Sequence, residues 1–123
     1  MESLKSGDLA IVVEAQGASA IVCDWRGKSN NRHPEQVLGS FFSNLLRSAA
    51  TTKSDLEMHF ESLEHFNSST ITVLIQFIQD ARSATVPLTF VYDEGLKWQK
   101  LSFEALRAFE RSDSMFHLRA TGE

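Results

Sequence analysis

Apolar residues recur along this chain in two rhythms, and the rhythm changes at definite places. Leu9 to Glu14 is rich in Ile and Val, Gln16-Gly17-Ala18 has turn chemistry, and Ser19 to Trp25 is apolar again, which predicts a hairpin of two short strands. Arg26-Gly27-Lys28-Ser29-Asn30-Asn31-Arg32 reads as a polar loop. A helix start follows at His33-Pro34-Glu35, where proline suits the first turn and glutamate complements the dipole. Val37, Leu38, Phe41, Phe42, Leu45 and Leu46 then recur at spacings of one and three, which puts all six on one face of a helix ending near Ala50. Leu56, Met58 and Phe60 alternate with Glu57, His59 and Glu61, the period of a half-buried strand, and Leu63 and Phe66 belong to the segment leading out of it.

A second helix is expected from Asn67-Ser68-Ser69, whose short polar side chains can accept hydrogen bonds from the free amides of a first turn. Ile71, Leu74, Ile75 and Ile78 form its stripe, widened by Val73 and Phe77, so the helix should be well buried. The β-branched run from Ile71 to Ile75 also admits a strand. Pro87 opens a strand at Leu88 to Tyr92, and Asp93-Glu94-Gly95 turns the chain. A third helix carries Leu101, Ala105, Leu106 and Phe109, and Met115 to Leu118 is a last short strand. The order β-β-α-β-α-β-α-β predicts an α/β fold: a single domain over residues 1–123, with a mostly parallel or mixed sheet of about five strands and three helices.

Composition narrows what such a domain can do. An apolar fraction of 42% with 23% charged residues is enough to bury a core, which argues against a disordered chain. Met1 to Leu9 carries Glu2, Lys5 and Asp8 and so lacks the apolar run of a signal peptide. Nowhere do about 18 apolar residues follow one another, as a membrane span would need. Cys23 is the single cysteine, which excludes an intramolecular disulfide and a cysteine-based zinc site and fits the reducing cytoplasm. The net charge of −4, with positive residues scattered, argues against non-specific nucleic-acid binding.

Chemistry is equally sparse. No glycine-rich phosphate loop occurs, and His33, His59, His65 and His117 include no pair at the i, i+4 spacing of a helical zinc site. His65 lies three residues before Ser68, a conceivable base and nucleophile. The glycines of a G-x-S-x-G elbow and an evident acid partner are missing, so a small hydrolase is the weakest reading. Glu57, Glu61, Glu64, Asp93 and Glu94 fit solvated faces and turns, and Trp25 and Trp98 fit packing. The expectation is a protein without catalytic residues, metal or cofactor.

His65-Phe66-Asn67-Ser68-Ser69-Thr70 is the exception: three hydroxyls stand at a helix start where a single cap would suffice. A phosphate there adds about −1.5 to −2 charge, which the free amides and dipole of a helix N-terminus tolerate. The fold would survive modification while a partner packed on the same surface would not, which makes Ser68, then Ser69, then Thr70 candidate phosphorylation sites. The order of strand, Asn-Ser-Ser and buried helix resembles the STAS domains of anti-sigma-factor antagonists. It resembles the SiaC-like regulatory phosphoproteins more closely, through Gly27, Ser29, Pro34, Glu35 and Phe41 or Phe42, through Phe66 to Thr70, and through Val91-Tyr92-Asp93-Glu94. It departs from the two groups in having Thr70 where the Ser-Ser-Gly turn has glycine, and Ser68 where the SiaC-like proteins have threonine. The resemblance implies a partner-switching protein that binds through Phe66, Asn67, Ser68, Ser69, Tyr92 and Asp93. Its implied partners are a Ser/Thr kinase of the anti-sigma type, a phosphatase and a diguanylate cyclase. The alternative is an unmodified STAS-like module that binds a ligand or scaffolds an assembly, with the serines acting only as a cap.

Overall fold

The computed structural model describes residues 3–16 and 19–122. Among them are the strands β1 (Leu4–Ser6), β2 (Leu9–Gln16), β3 (Ala20–Ser29), β4 (Asp55–His59), β5 (Leu63–Phe66), β6 (Leu88–Asp93) and β7 (Phe116–Thr121). The helices are α1 (Glu35–Thr52), α2 (Ser68–Ser83) and α3 (Lys97–Glu104), and α3 continues into a 3-10 turn at Ala105–Phe109. All seven strands form one sheet in the order β1-β2-β3-β4-β6-β7, with β5 paired to β3 beside β4. The first three strands are antiparallel, and every later pairing is parallel. The hairpin of β2 and β3 is as expected, whereas Gly17 and Ala18 of its predicted turn lie outside the described residues.

The α/β mixed sheet and three helices match the expectation; the strand count does not. β1 is three residues long and too short to show a period. β5 is the resumption of β4 further along β3: β4 pairs with Ala20 to Asp24, and β5 with Gly27 to Ser29. The predicted loop from Arg26 is therefore strand as far as Ser29, because remote partners on both sides supply its ladder. Helix α2 holds the residues for which a strand was the alternative.

One face of the sheet is buried. Ile21, Cys23, Trp25, Leu56, Met58, Phe60, Phe90 and Phe116 meet Leu38, Phe42, Leu45, Phe77 and Phe103 from the helices. The opposite face shows Asp24, Glu57, His59, His117 and Arg119, at least half of each strand's alternate positions being polar. Phe60 lies within the aromatic cluster, with ring centroids 4.9 Å from Trp25, 5.1 Å from Phe90 and 4.7 Å from Phe103.

Helix α3 departs most from its predicted phase. Leu101, expected in the apolar stripe, is 66% exposed, whereas Gln99 and Phe103 are buried. The core-facing series is Gln99, Phe103 and Leu106, and its first member is polar. Gln99 is satisfied by its surroundings: Nε2 donates to the carbonyls of Phe60 (2.6 Å) and Leu63 (3.0 Å), and Oε1 accepts from the Asp93 amide (2.8 Å).

Two outcomes follow for stability. Gln99→Leu, although it adds apolar volume to a buried site, should lower the unfolding free energy by at least about 2 kcal/mol, since it strips partners from buried backbone groups. Leu101→Ala should change it by less than about 0.5 kcal/mol, and urea denaturation of both variants checks the pair. Burial pushes the Cys23 thiol up to about 12. Folding therefore favours the neutral thiol, a contribution complete below the unfolded thiol's range near 8.5 and lost as pH climbs toward the folded value. At pH 8 the native protein should stay unlabelled by a disulfide reagent such as DTNB until it is unfolded.

Candidate functional site

The site lies where the parallel strands end. β5 closes at Phe66, the backbone of Asn67 is extended (φ −92°, ψ 174°), and α2 begins at Ser68. The Asn67 amide donates to the Ser29 carbonyl at the end of β3 (3.0 Å), and its Nδ2 donates to the Asn31 carbonyl (2.8 Å). Its Oδ1 accepts from the Thr70 amide (2.9 Å) and from Thr70 Oγ1 (2.8 Å). Thr70 Oγ1 also shares a hydrogen bond with Ser29 Oγ at 2.7 Å. Asn67 is thus the cap, and Thr70 and Ser29 are its buried supports.

The three hydroxyls consequently divide. Ser68 is exposed at the first position of α2, and Ser69 is half-buried beside it. Thr70, expected as a third modifiable hydroxyl, is 0% exposed with its hydroxyl in the cap, and a phosphate there would have to break the network that starts the helix. Two members of the expected partner surface also lie inside. Phe66 packs edge-on against Trp98 (5.2 Å) and Phe103 (5.5 Å), and Tyr92 is stacked on Phe103 (5.4 Å). They are apolar supports of the site and not its surface. Asp93 is half-buried, and its Oδ1 accepts from the Gly95 amide (2.8 Å) to fix the turn after β6. Asn67, Ser68, Ser69 and Asp93 remain as the accessible part of the set.

No hydrogen bond joins His65 to Ser68 among the described residues; the His65 ring lies 6.4 Å from that of Trp98. Among the described residues no group of three or more His, Cys, Asp or Glu side chains is placed to hold a metal ion. His59 is bracketed by Glu57 (2.9 Å) and Glu61 (3.2 Å), with Arg119 also on Glu57 (3.3 Å), on the open face of the sheet. No described helix is long and apolar enough to cross a membrane.

The chain's periodicity gave no sign of a groove of about 550 Å³ between α1 and α2. The stacked rings of Phe42 and Phe77 (4.2 Å) lie in its floor, with Leu46 and Val73 on its walls. Arg32 and Ser69 line it as well, as does Asp80. Phe42 and Phe77 were legible as stripe residues, but the gap between two helices depends on how far apart the sheet holds them. Ser29 and Asn31 were likewise missed as supports of the cap, because both lie in the stretch that reads as loop.

No family model matches the sequence, and no curated protein matches it. Among solved structures, the complex of the diguanylate cyclase SiaD with its activator SiaC from Pseudomonas aeruginosa contains a chain, SiaC, that superposes with a TM-score of 0.70 at 18% identity, over 98% of this chain and 100% of that one. The unphosphorylated form of the anti-sigma factor antagonist SpoIIAA gives a TM-score of 0.49 at 14% identity, over 67% of this chain and 72% of that one. The fold is therefore SiaC-like from end to end, as the resemblance in the motifs implied.

The division of labour at the helix start is measurable. Asn67→Ala should cost about 0.5–2 kcal/mol as the loss of a cap. Thr70→Val, which strands Ser29 Oγ in a buried site, should cost about 1–3 kcal/mol. Ser68→Ala should stay within about 0.5 kcal/mol of the unsubstituted protein in the same denaturation series.

Proposed function

We propose that the protein is a non-enzymatic partner-switching regulator of the cytoplasm, reversibly phosphorylated on Ser68 or Ser69. In the unmodified state it binds a signalling target such as a diguanylate cyclase. A Ser/Thr kinase of the anti-sigma type adds the phosphate and releases the target, and a phosphatase restores the first state.

The observation that carries this reading is the independence of the two serines from the fold. Asn67, Thr70 and Ser29 complete the cap among themselves, while Ser68 stands exposed and Ser69 half-exposed on the same turn. A dianion at either serine meets the free amides and positive end of α2, which stabilise it. The modification then changes what the surface presents and leaves the core as it was. The fold adds support, since the SiaC chain that this protein superposes on is an activator of a diguanylate cyclase. A hydrolase has no comparable support, because His65 and Ser68 share no hydrogen bond among the described residues.

Mass spectrometry of the protein purified from its own host, before and after phosphatase treatment, should find one phosphate on the peptide carrying Ser68 and Ser69. Ser68→Asp or Ser69→Asp should weaken binding to an isolated partner at least tenfold with unchanged thermal stability. Equal affinity of both variants and the unsubstituted protein for every isolated partner sinks the reading.

A further inference from the structure

The sheet ends in two different edges. At one end β1 is three residues long, so its row of free backbone groups is short. At the other end no described strand lies beyond β7, whose six residues run from Phe116 to Thr121. β7 is parallel to β6, with Leu118 beside Phe90. Their ladder opens with the Leu88 amide on the Met115 carbonyl (2.9 Å) and closes with the Glu94 amide on the Thr121 carbonyl (2.8 Å). Along a parallel strand, alternate residues give both backbone groups to one neighbour. His117, Arg119 and Thr121 therefore bond to β6, while Phe116, Leu118 and Ala120 turn their amides and carbonyls outward. The central one of those amides is already taken: Leu118 donates to Glu110 Oε2 at 2.9 Å. Glu110 Oε1 accepts from Arg107 (3.3 Å), which also reaches the Tyr92 hydroxyl (3.3 Å). Arg82 of α2 pins the segment that carries Glu110, through the Phe109 carbonyl (2.9 Å) and Asp113 (2.8 Å).

A carboxylate oxygen on an outward edge amide stands where the carbonyl of an added strand would go, and as a charged acceptor it makes the stronger bond. It also sets a negative charge against any incoming carbonyl. We infer that Glu110 is an autoinhibitory contact that closes the β7 edge to strand addition, and that the strand the opened edge takes is the β7 of a second copy, running antiparallel. The edge is complementary to itself about Leu118. Two copies related by a two-fold axis set Leu118 against Leu118 and Phe116 against Ala120, so each outward amide meets an outward carbonyl. Ala120, exposed at this edge, is then covered. On the open face of the sheet His117 meets Arg119, a contact without attraction. The pairing therefore depends on its backbone bonds, and the amide at its centre is the one that Glu110 holds. The inference does not rest on the proposed phosphoswitch, whose serines stand at the start of α2.

The test is the mass in solution, by size-exclusion chromatography with light scattering at rising concentration of the full chain. The unsubstituted protein should keep one mass. Glu110→Ala should reach twice that mass. Glu110→Gln, whose amide oxygen can still accept from Leu118, should behave as the unsubstituted protein does. Glu110→Ala combined with Ala120→Pro should return to the lower mass, because the Ala120 amide points outward and proline there costs no bond to β6. Amide exchange followed by NMR reads the contact without any substitution. In the unsubstituted protein the Leu118 amide, relative to its intrinsic rate, should exchange at least tenfold more slowly than that of Ala120. Glu110→Ala at high dilution should remove most of that difference. A Glu110→Ala variant with a native circular dichroism spectrum and an unchanged mass at every concentration would overturn the inference. So would a Glu110→Gln variant that associates as Glu110→Ala does, a double variant that keeps the higher mass, or Leu118 and Ala120 amides that exchange alike in the unsubstituted protein. If Glu110→Ala does not fold, the exchange comparison in the unsubstituted protein decides.

Discussion

The amide of Gln99 lies fully buried between three segments, donating to the carbonyls of Phe60 and Leu63 and accepting from the amide of Asp93. Those carbonyls flank the break between β4 and β5. A strand that stops and restarts leaves backbone groups turned away from the ladder, and inside a core each needs another partner. The Leu63 amide donates to the Phe60 carbonyl across the break (2.9 Å), and Gln99 adds its bonds from α3. With the break stabilised, β5 can run along the last residues of β3, and its end arrives beside Ser29. The start of α2 is then fixed to the end of β3 by Asn67, whose amide donates to the Ser29 carbonyl.

From that position the rest of the site follows. Asn67, Thr70 and Ser29 close a small network that satisfies the first turn of α2 without recourse to Ser68 or Ser69. Buried polar groups cost little when fully paired and a great deal when one partner is lost. The network is therefore costly to disturb, while the side chains of the two serines beside it take no part in it. A fold-critical cap and two serines outside its side-chain network occupy four consecutive residues.

The two faces of the sheet give the molecule its polarity. One face carries the aromatic cluster that includes Phe60 and Phe103 and all three described helices; the other carries polar side chains such as Glu57, His59 and Arg119. The groove between α1 and α2 lies next to the proposed switch. The nearness of groove and serines is a consequence of parallel topology, which gathers helix starts at the ends of the strands.

What the sequence determined by itself was whatever repeats locally. Alternation through Leu56, Met58 and Phe60, the stripes of α1 and α2, and the cluster Asn67-Ser68-Ser69 suffice for the α/β order, the mixed sheet and a polar helix start, because period and capping chemistry are properties of neighbouring residues. Tertiary structure decided which polar residues are inside. Gln99 and Leu101 exchange the roles their polarity suggests, because the Phe60 and Leu63 carbonyls at a remote strand break and the Asp93 amide give the Gln99 side chain its partners. Arg26 to Ser29 is strand because β2 and β5 flank it, and Thr70 is buried because Ser29, 41 residues earlier in the chain, meets its hydroxyl. Tyr92 and Phe66, which a linear motif presents as surface, are held inside by Phe103 and Trp98. Burial of a polar group, or exposure of an apolar one, depends on partners distant in the chain, and no local pattern encodes them.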